Sequence, residues 1–189
     1  MIELLVAFIS GGALTALIKG LFDVIKIRQS QKKLFPDAFK KMNEIYGLMN
    51  KLKSEINCER VLIIKAKNGG GLPKPGTPLF VSVLYEVYDS DFVSSAEWWQ
   101  SRQVDESYIG MLMRVEEEEQ IAVVTNELKS GILKDLYEAQ EVEGSMVSKI
   151  VEKDNRYYIV SCNFKDKNKM NLAAKVHLSN YTQKLKELI

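Results

Sequence analysis

The sequence predicts an α+β fold: an antiparallel sheet of five or six strands with helices on its faces, preceded by an N-terminal transmembrane helix. Three observations lead there. From Ile2 to Ile18 only Glu3, Ser10 and Thr15 carry polar side chains. Short β-branched or alternating runs (RVLIIKA, LFVSVLYEV, QIAVVT, SMVSKIV and YYIVSCNF) recur between turn-forming residues. Stretches with an apolar residue every three or four positions flank these runs on both sides.

The first run spans about 25 Å as a helix, at the lower limit for a hydrocarbon core of about 30 Å. Continuation through Leu21, Phe22, Val24 and Ile25, with Lys19 snorkelling, makes it long enough. Leu4, Leu5, Phe8, Leu14, Leu17 and Ile18 are the membrane-anchoring side chains of this reading. Lys19, Lys26, Arg28, Lys32 and Lys33 follow the run against Asp23 alone. The positive-inside rule then places the N-terminus outside and the rest on the cytoplasmic side of an inner membrane, in a single-pass protein. Glu3 precedes any lysine and no small-residue cleavage pattern follows, which argues against a secretory signal peptide. Ser10, Gly11, Gly12, Ala13 and Ala16 form a small-residue face that permits close helix approach, in a bilayer or inside a larger assembly.

The 189 residues suffice for one domain, residues 34–189, behind an anchor and basic stalk, residues 1–33. A hydrophobic content of 46% with 27% charged residues is a folding composition. The net charge of +1 argues against nucleic acid as a partner, and Lys165, Lys167, Lys169 and Lys175 around Asp166 read as a solvated face. Two cysteines, Cys58 and Cys162, make no disulfide scaffold.

Along the chain, Pro36 is expected to end the stalk and Asp37 to cap a new helix. Phe39, Met42, Tyr46, Met49, Leu52 and Ile56 then recur at helical spacing. This stripe either packs on the sheet or pairs with a second copy in a parallel dimer, since steps of three and four also make a coiled-coil seam. Arg60–Ala66 is a buried strand, closed by Asn68-Gly69-Gly70-Gly71 and a proline-rich connection. In the strand Leu79–Val87 alternation puts Val81, Val83, Tyr85 and Val87 on one face, and Phe80, Ser82, Leu84 and Glu86 on the other. Residues 89–103 are irregular. Asp105 caps a helix carrying Tyr108, Met111 and Val115 inward. A strand at 120–125, a helix at 131–140, a hairpin turning at Asp154-Asn155 and a last helix at 170–189 complete the order.

In this order of elements, and in RVLIIKAKNGGG, LFVSVLYEVYD, QIAVVT and YYIVSCNF, the chain from Asp37 resembles GAF-type sensor domains, with a GAF/PAS-like sheet. The resemblance implies a pocket between the sheet and a covering segment, here residues 89–115, and transmission of its occupancy through the flanking helices. The Asn-Lys-Phe-Asp-Glu-type pattern of cyclic-nucleotide-binding members does not occur, nor does a cysteine placed as in bilin carriers. The apolar N-terminus, with Ser-Gly-Gly before a second apolar half, is also similar to the anchors of small bacteriophage or prophage membrane proteins.

The chemistry-bearing residues do not converge in sequence. His177 is the sole histidine, set in a helix between Val176 and Leu178. Cys58 and Cys162 lack the CxxC spacing of redox motifs and read as small buried hydrophobes. The glycine loop is followed by prolines, so no helix opens there to hold a phosphate. The run Glu116–Glu119 reads as a solvated helix end. Neither a catalytic set, a metal site nor a cofactor is expected, and the chain reads as a non-enzyme. Tyr85, Trp98, Trp99 and Tyr108 are the candidate ligand-pocket residues; two adjacent tryptophans cannot share one helix side, so one should be partly exposed. Two functions compete. One is a membrane-tethered sensory or interaction module with a small-molecule ligand and an unidentified protein partner; the other is a structural or accessory adaptor whose pocket is self-filled. A void on the order of 300 Å³ beneath the tryptophans would favour the first, complete filling the second.

Overall fold

The first helix, α1 (Ala13–Ile56), runs 44 residues and passes through Pro36. The expected stop at Pro36, with a new start capped by Asp37, is therefore corrected. A proline removes a single backbone donor, and the Ala, Lys, Met and Glu residues on its C-terminal side carry the helix on. The computed structural model describes residues 13–68, 76–90 and 92–189. The anchor residues Leu4, Leu5 and Phe8 lie outside the described residues, as do Gly69, Gly70 and Gly71. Leu14, Leu17 and Ile18 are described as helical backbone only. Among the described residues, no helix is long and apolar enough to cross a membrane. Two compact units divide the chain, the first ending at Asn43 and the second running from Glu44 to Ile189.

The second unit contains β1 (Arg60–Lys67), β2 (Phe80–Tyr88), β3 (Arg102–Gln103), α2 (Glu106–Glu118) and β4 (Gln120–Val124). These are followed by α3 (Ile132–Ala139), β5 (Gly144–Lys153), β6 (Arg156–Phe164) and α4 (Leu172–Leu188). The strands form one six-stranded sheet in the order β3-β2-β1-β6-β5-β4. Every neighbouring pair is antiparallel. The sixth strand is the two-residue β3, which the irregular middle supplies to the edge of β2. The β5–β6 hairpin turns where expected, with Asp154 and Asn155 both at positive φ.

Each sheet face carries its own core. On one, Ile45, Met49, Leu52 and Ile56 of α1 meet Leu178 and Leu185 of α4 above Val61, Ile63 and Val160. On the other, Trp99, Tyr108, Met111, Leu133 and Tyr137 cover Leu62, Ile64, Val147 and Ile159. Met49 and Leu52 are both 0% exposed, so their reading as interface residues is corrected: the core takes them. Phe39 (63% exposed), Met42 and Tyr46 remain at the surface.

The strict alternation expected of β2 also fails. Ile63 pairs with Tyr85 and Ile64 with Val83, leaving Leu84 as an extra residue in a β-bulge. Val81 and Val83 therefore face the Trp99 side, while Tyr85 and Val87 face α1. The same insertion turns Glu86 from the face predicted for it to the opposite one.

Candidate functional site

A row of polar side chains crosses the end of the sheet under α2 and α3. Arg60 opens β1, and its neighbour across the sheet is Asn163 on β6, followed by Ser145 on β5. One step along, Leu62 is flanked by Glu86 and Ser161. All four polar neighbours, and Arg60 itself at 1% exposure, are buried or nearly so.

Glu86 is held by the loop after β2. Its carboxylate accepts from Ser94 Oγ (2.6 Å), Ser95 Oγ (2.6 Å), Ser95 N (2.9 Å) and Ala96 N (3.2 Å). Only the bulge at Leu84 makes this possible, because it aims Glu86 at the same side as Arg60. The two charges still stand 4.0 Å apart, an ion pair without a hydrogen bond. Arg60 Nη2 donates instead to Gln140 Oε1 at 2.5 Å. Its Nε and Nη1, and Asn163 Nδ2, find no hydrogen-bond acceptor among the described residues. Burial pulls the guanidinium below its ordinary pKa, with Glu86 and Tyr137 opposing, and a guanidinium stays protonated in proteins. On the far side, Ser145 Oγ and Ser161 Oγ lie 2.9 Å apart and 3.2 and 3.0 Å from Asn163 Oδ1, and each hydroxyl donates one of these bonds at a time. The Tyr137 hydroxyl bonds both serines, yet burial keeps that phenol above its ordinary pKa.

The roof over this row is aromatic. Trp99 and Tyr108 meet at 5.5 Å between ring centroids, tilted by 53°. Beneath them a void of about 10 Å³ remains, bordered by Arg60, Met111, Tyr137, Gln140 and Asn163 among others. That is room for about one water molecule, far from a drug-sized pocket. Trp99 and Tyr108 are thus brought together as expected. Trp98 is 50% exposed and outside the core cluster that holds Trp99, the partial exposure expected of one tryptophan of the pair. Tyr85 is corrected: the bulge places it on the opposite face, where its ring meets Tyr46 edge-on.

Outside this closed centre lies a cleft of about 220 Å³ lined by Phe92, Val93, Ala139, Gln140, Glu141 and Lys165. Gln140 borders both spaces. The Phe92 ring meets two cations, Arg60 at 5.2 Å and Lys165 at 4.6 Å from its centroid. Lys165 also pairs with Glu141 at 3.3 Å.

Position explains the remaining candidates. His177 sits half-exposed on α4, its Nδ1 2.8 Å from Glu55. Cys58 and Cys162 are both buried on the α1 side, and burial, then the neighbouring Cys58, pushes the Cys162 thiol well above its ordinary pKa. Among the described residues no cluster of three or more His, Cys, Asp or Glu could hold a metal ion.

Arg60, Glu86, Ser145, Ser161 and Asn163 were not singled out from the sequence. A cue exists: polar residues at alternating positions of strands that otherwise read as wholly buried, as in VSCNF. It does not say that four strands align those positions side by side.

No protein-family model matches the chain, and no curated protein matches its sequence. Solved structures do share its fold. The GAF domain of a two-component sensor histidine kinase from Bacillus halodurans is 13% identical, with a TM-score of 0.56 over 78% of this chain and 92% of that one. A far-red cyanobacteriochrome photoreceptor is 11% identical, with a TM-score of 0.53 over 89% and 98%. The GAF domain/HD domain protein from Geobacter sulfurreducens is 8% identical, with a TM-score of 0.52 over 76% and 88%. At these identities the likeness shows fold alone: the antiparallel sheet with its helices is a GAF-type fold.

Proposed function

We propose that the protein is a membrane-tethered, non-catalytic sensory and interaction module, acting as a parallel dimer through α1. The observation that carries this is the change of character along one helical stripe. Ile45, Met49, Leu52 and Ile56 are buried in the domain core, whereas Phe35, Phe39 and Met42 stand exposed at steps of four and three. That spacing is a coiled-coil seam, and exposed aromatic and Met side chains in such a row suit a second copy of the same helix. The apolar run before Lys19 supplies the tether at the inner face of the cytoplasmic membrane, with the N-terminus outside. Confinement there raises the effective concentration of the domain toward itself and toward membrane-bound partners. The GAF-type fold of the sensor kinase, photoreceptor and GAF/HD neighbours supports the sensory half. A signal from this chain leaves through a protein partner.

Sedimentation of the full-length chain in detergent tests the dimer. Phe39→Glu with Met42→Glu is expected to give monomers with unchanged helicity; dimers that survive both changes overturn it. Recovery of the intact protein in a detergent-free soluble fraction overturns the tether.

One observation favours the second reading, an adaptor of phage-like type whose N-terminal helix packs in a membrane or a larger assembly. The centre beneath Trp99 is filled by the domain's own side chains. On that reading the fold serves as a rigid docking body, and no small molecule changes it.

A further inference from the structure

We infer that Arg60 is the anchor of a small planar oxyanion, of the monocarboxylate or nitrate class, which enters from the cleft beside α3 and takes the place of the Gln140 side chain. This rests on the sensory half of the function proposed above and names its ligand.

The starting point is an imbalance of hydrogen bonds. A guanidinium offers five N–H donors and cannot shed its charge. Arg60 is 1% exposed, yet only its bond to Gln140 Oε1 is made, and Nε and Nη1 have no acceptor among the described residues. Buried donors left unmade are costly, and more so on a charged group. Glu86 does not answer them. Its oxygens already take four hydrogen bonds from Ser94, Ser95 and Ala96, and it stops 4.0 Å short. Among the described residues the single hydrogen-bond partner in place is a neutral amide oxygen, beside an ion pair with Glu86 that makes no hydrogen bond, whereas planar oxyanions match guanidinium geometry and make stronger, charge-assisted bonds.

The route follows from where Gln140 sits. It is the residue that ends α3, partly exposed, and it separates the void at Arg60 from the cleft of about 220 Å³. Rotation of this one side chain joins the two spaces without moving the sheet. Lys165 stands at the cleft, stacked on Phe92 and paired with Glu141. Asn163 Nδ2, which has no acceptor among the described residues, is a further donor on a residue that borders the void. The void by itself holds only a water-sized group, so the ligand occupies it together with the space that the Gln140 side chain vacates, which limits it to a few heavy atoms.

The test is calorimetric titration of the full-length protein in detergent with acetate, nitrate and, as a spherical control, chloride at matched ionic strength. Saturable binding of acetate or nitrate is expected, and whichever binds more tightly identifies the arm of the class. Arg60→Lys is expected to weaken it by about tenfold or more, equal to about 1.4 kcal/mol. Gln140→Glu guards against a variant that fails to fold. It tethers a carboxylate at Arg60, so it should raise Tm and abolish the response to added anion. Gln140→Ala, with the internal occupant gone, should tighten binding. Equal responses to chloride, a Gln140→Glu protein that still binds acetate or nitrate, or no saturable binding in the wild type and Gln140→Ala would each overturn the proposal. The dimer is read by sedimentation and does not depend on any of these outcomes.

Discussion

Tyr46 on α1 and Tyr85 on β2 meet edge to face, 5.4 Å between ring centroids and 81° between planes. The contact exists because Leu84 is an extra residue in β2, which sends Tyr85 to the α1 side and Glu86 to the Arg60 side. An aromatic pair of this geometry is worth about 0.5–1.5 kcal/mol beyond its buried area. A double-mutant cycle of Tyr46→Leu and Tyr85→Leu, read by urea denaturation, should return a coupling of about that size. Tyr85→Leu should leave tryptophan fluorescence unchanged, since Trp99 belongs to the opposite face; a shifted spectrum would place Tyr85 back at the pocket.

Met49 and Met42 lie two helical turns apart on α1 and should respond in opposite ways. Met49→Ala, in a fully buried site shared with α4, should cost about 2–5 kcal/mol. Met42→Ala, at an exposed site, should change stability by less than about 0.5 kcal/mol. Thermal denaturation by circular dichroism checks both. Similar losses at the two positions would show Met42 packed in the domain core.

Asp105 serves two helices at once. Its Oδ1 caps α2 by accepting from Tyr108 N at 3.2 Å, and its Oδ2 accepts from Ile132 N at the start of α3 at 2.8 Å. Asp105→Ala should cost about 1–2 kcal/mol for the cap alone, and more for the orphaned Ile132 amide. Gly131, at φ +157°, is what lets the two helix starts approach. A Cβ there would stand 2.6 Å from Asp105 Oδ2 and 3.0 Å from Ser107 Cβ. Gly131→Ala should therefore destabilise too, and fail to add to Asp105→Ala in a denaturation cycle because both break one junction.

The clasp between α1 and α4 carries a pH dependence. Glu55 accepts from the Tyr181 hydroxyl at 2.7 Å and pairs with His177. The Tyr181 bond is the largest effect holding its carboxyl below the ordinary range; desolvation, next in size, opposes it, and His177 and Lys184 add to the lowering. A depressed carboxylate stabilises the fold above its unfolded pKa, near about 4.3, and that contribution fades as pH falls through the lower folded value. Between neutral pH and about pH 3 the wild type should thus lose more Tm than Glu55→Gln. Parallel melting curves for the two proteins across that range would show that the clasp contributes nothing.

What the sequence determined by itself is the set of elements and their faces where local chemistry decides. Helical spacing over Met42–Ile56 and Leu172–Leu188, β-branched runs, the Asp105 cap and the Asp154-Asn155 turn are all local, and each became the element predicted. The same spacing cannot tell a core stripe from a dimer seam, because burial of Met49 rather than Met42 depends on where α4 lies. Three further points fell outside this reading, the first through local helix propensity and the other two through tertiary structure alone. The helix crosses Pro36, since one lost donor is outweighed by good helix formers beyond it. The bulge at Leu84 reverses the faces of Tyr85 and Glu86, a shift of one residue that alternation cannot anticipate. Most of all, Arg60, Glu86, Ser161 and Asn163 come from three strands up to about a hundred positions apart in sequence and become one polar row only when antiparallel register aligns them. Each is unremarkable in its own segment; what makes them a site is a shared, nearly dry environment, and burial is a property of the folded whole.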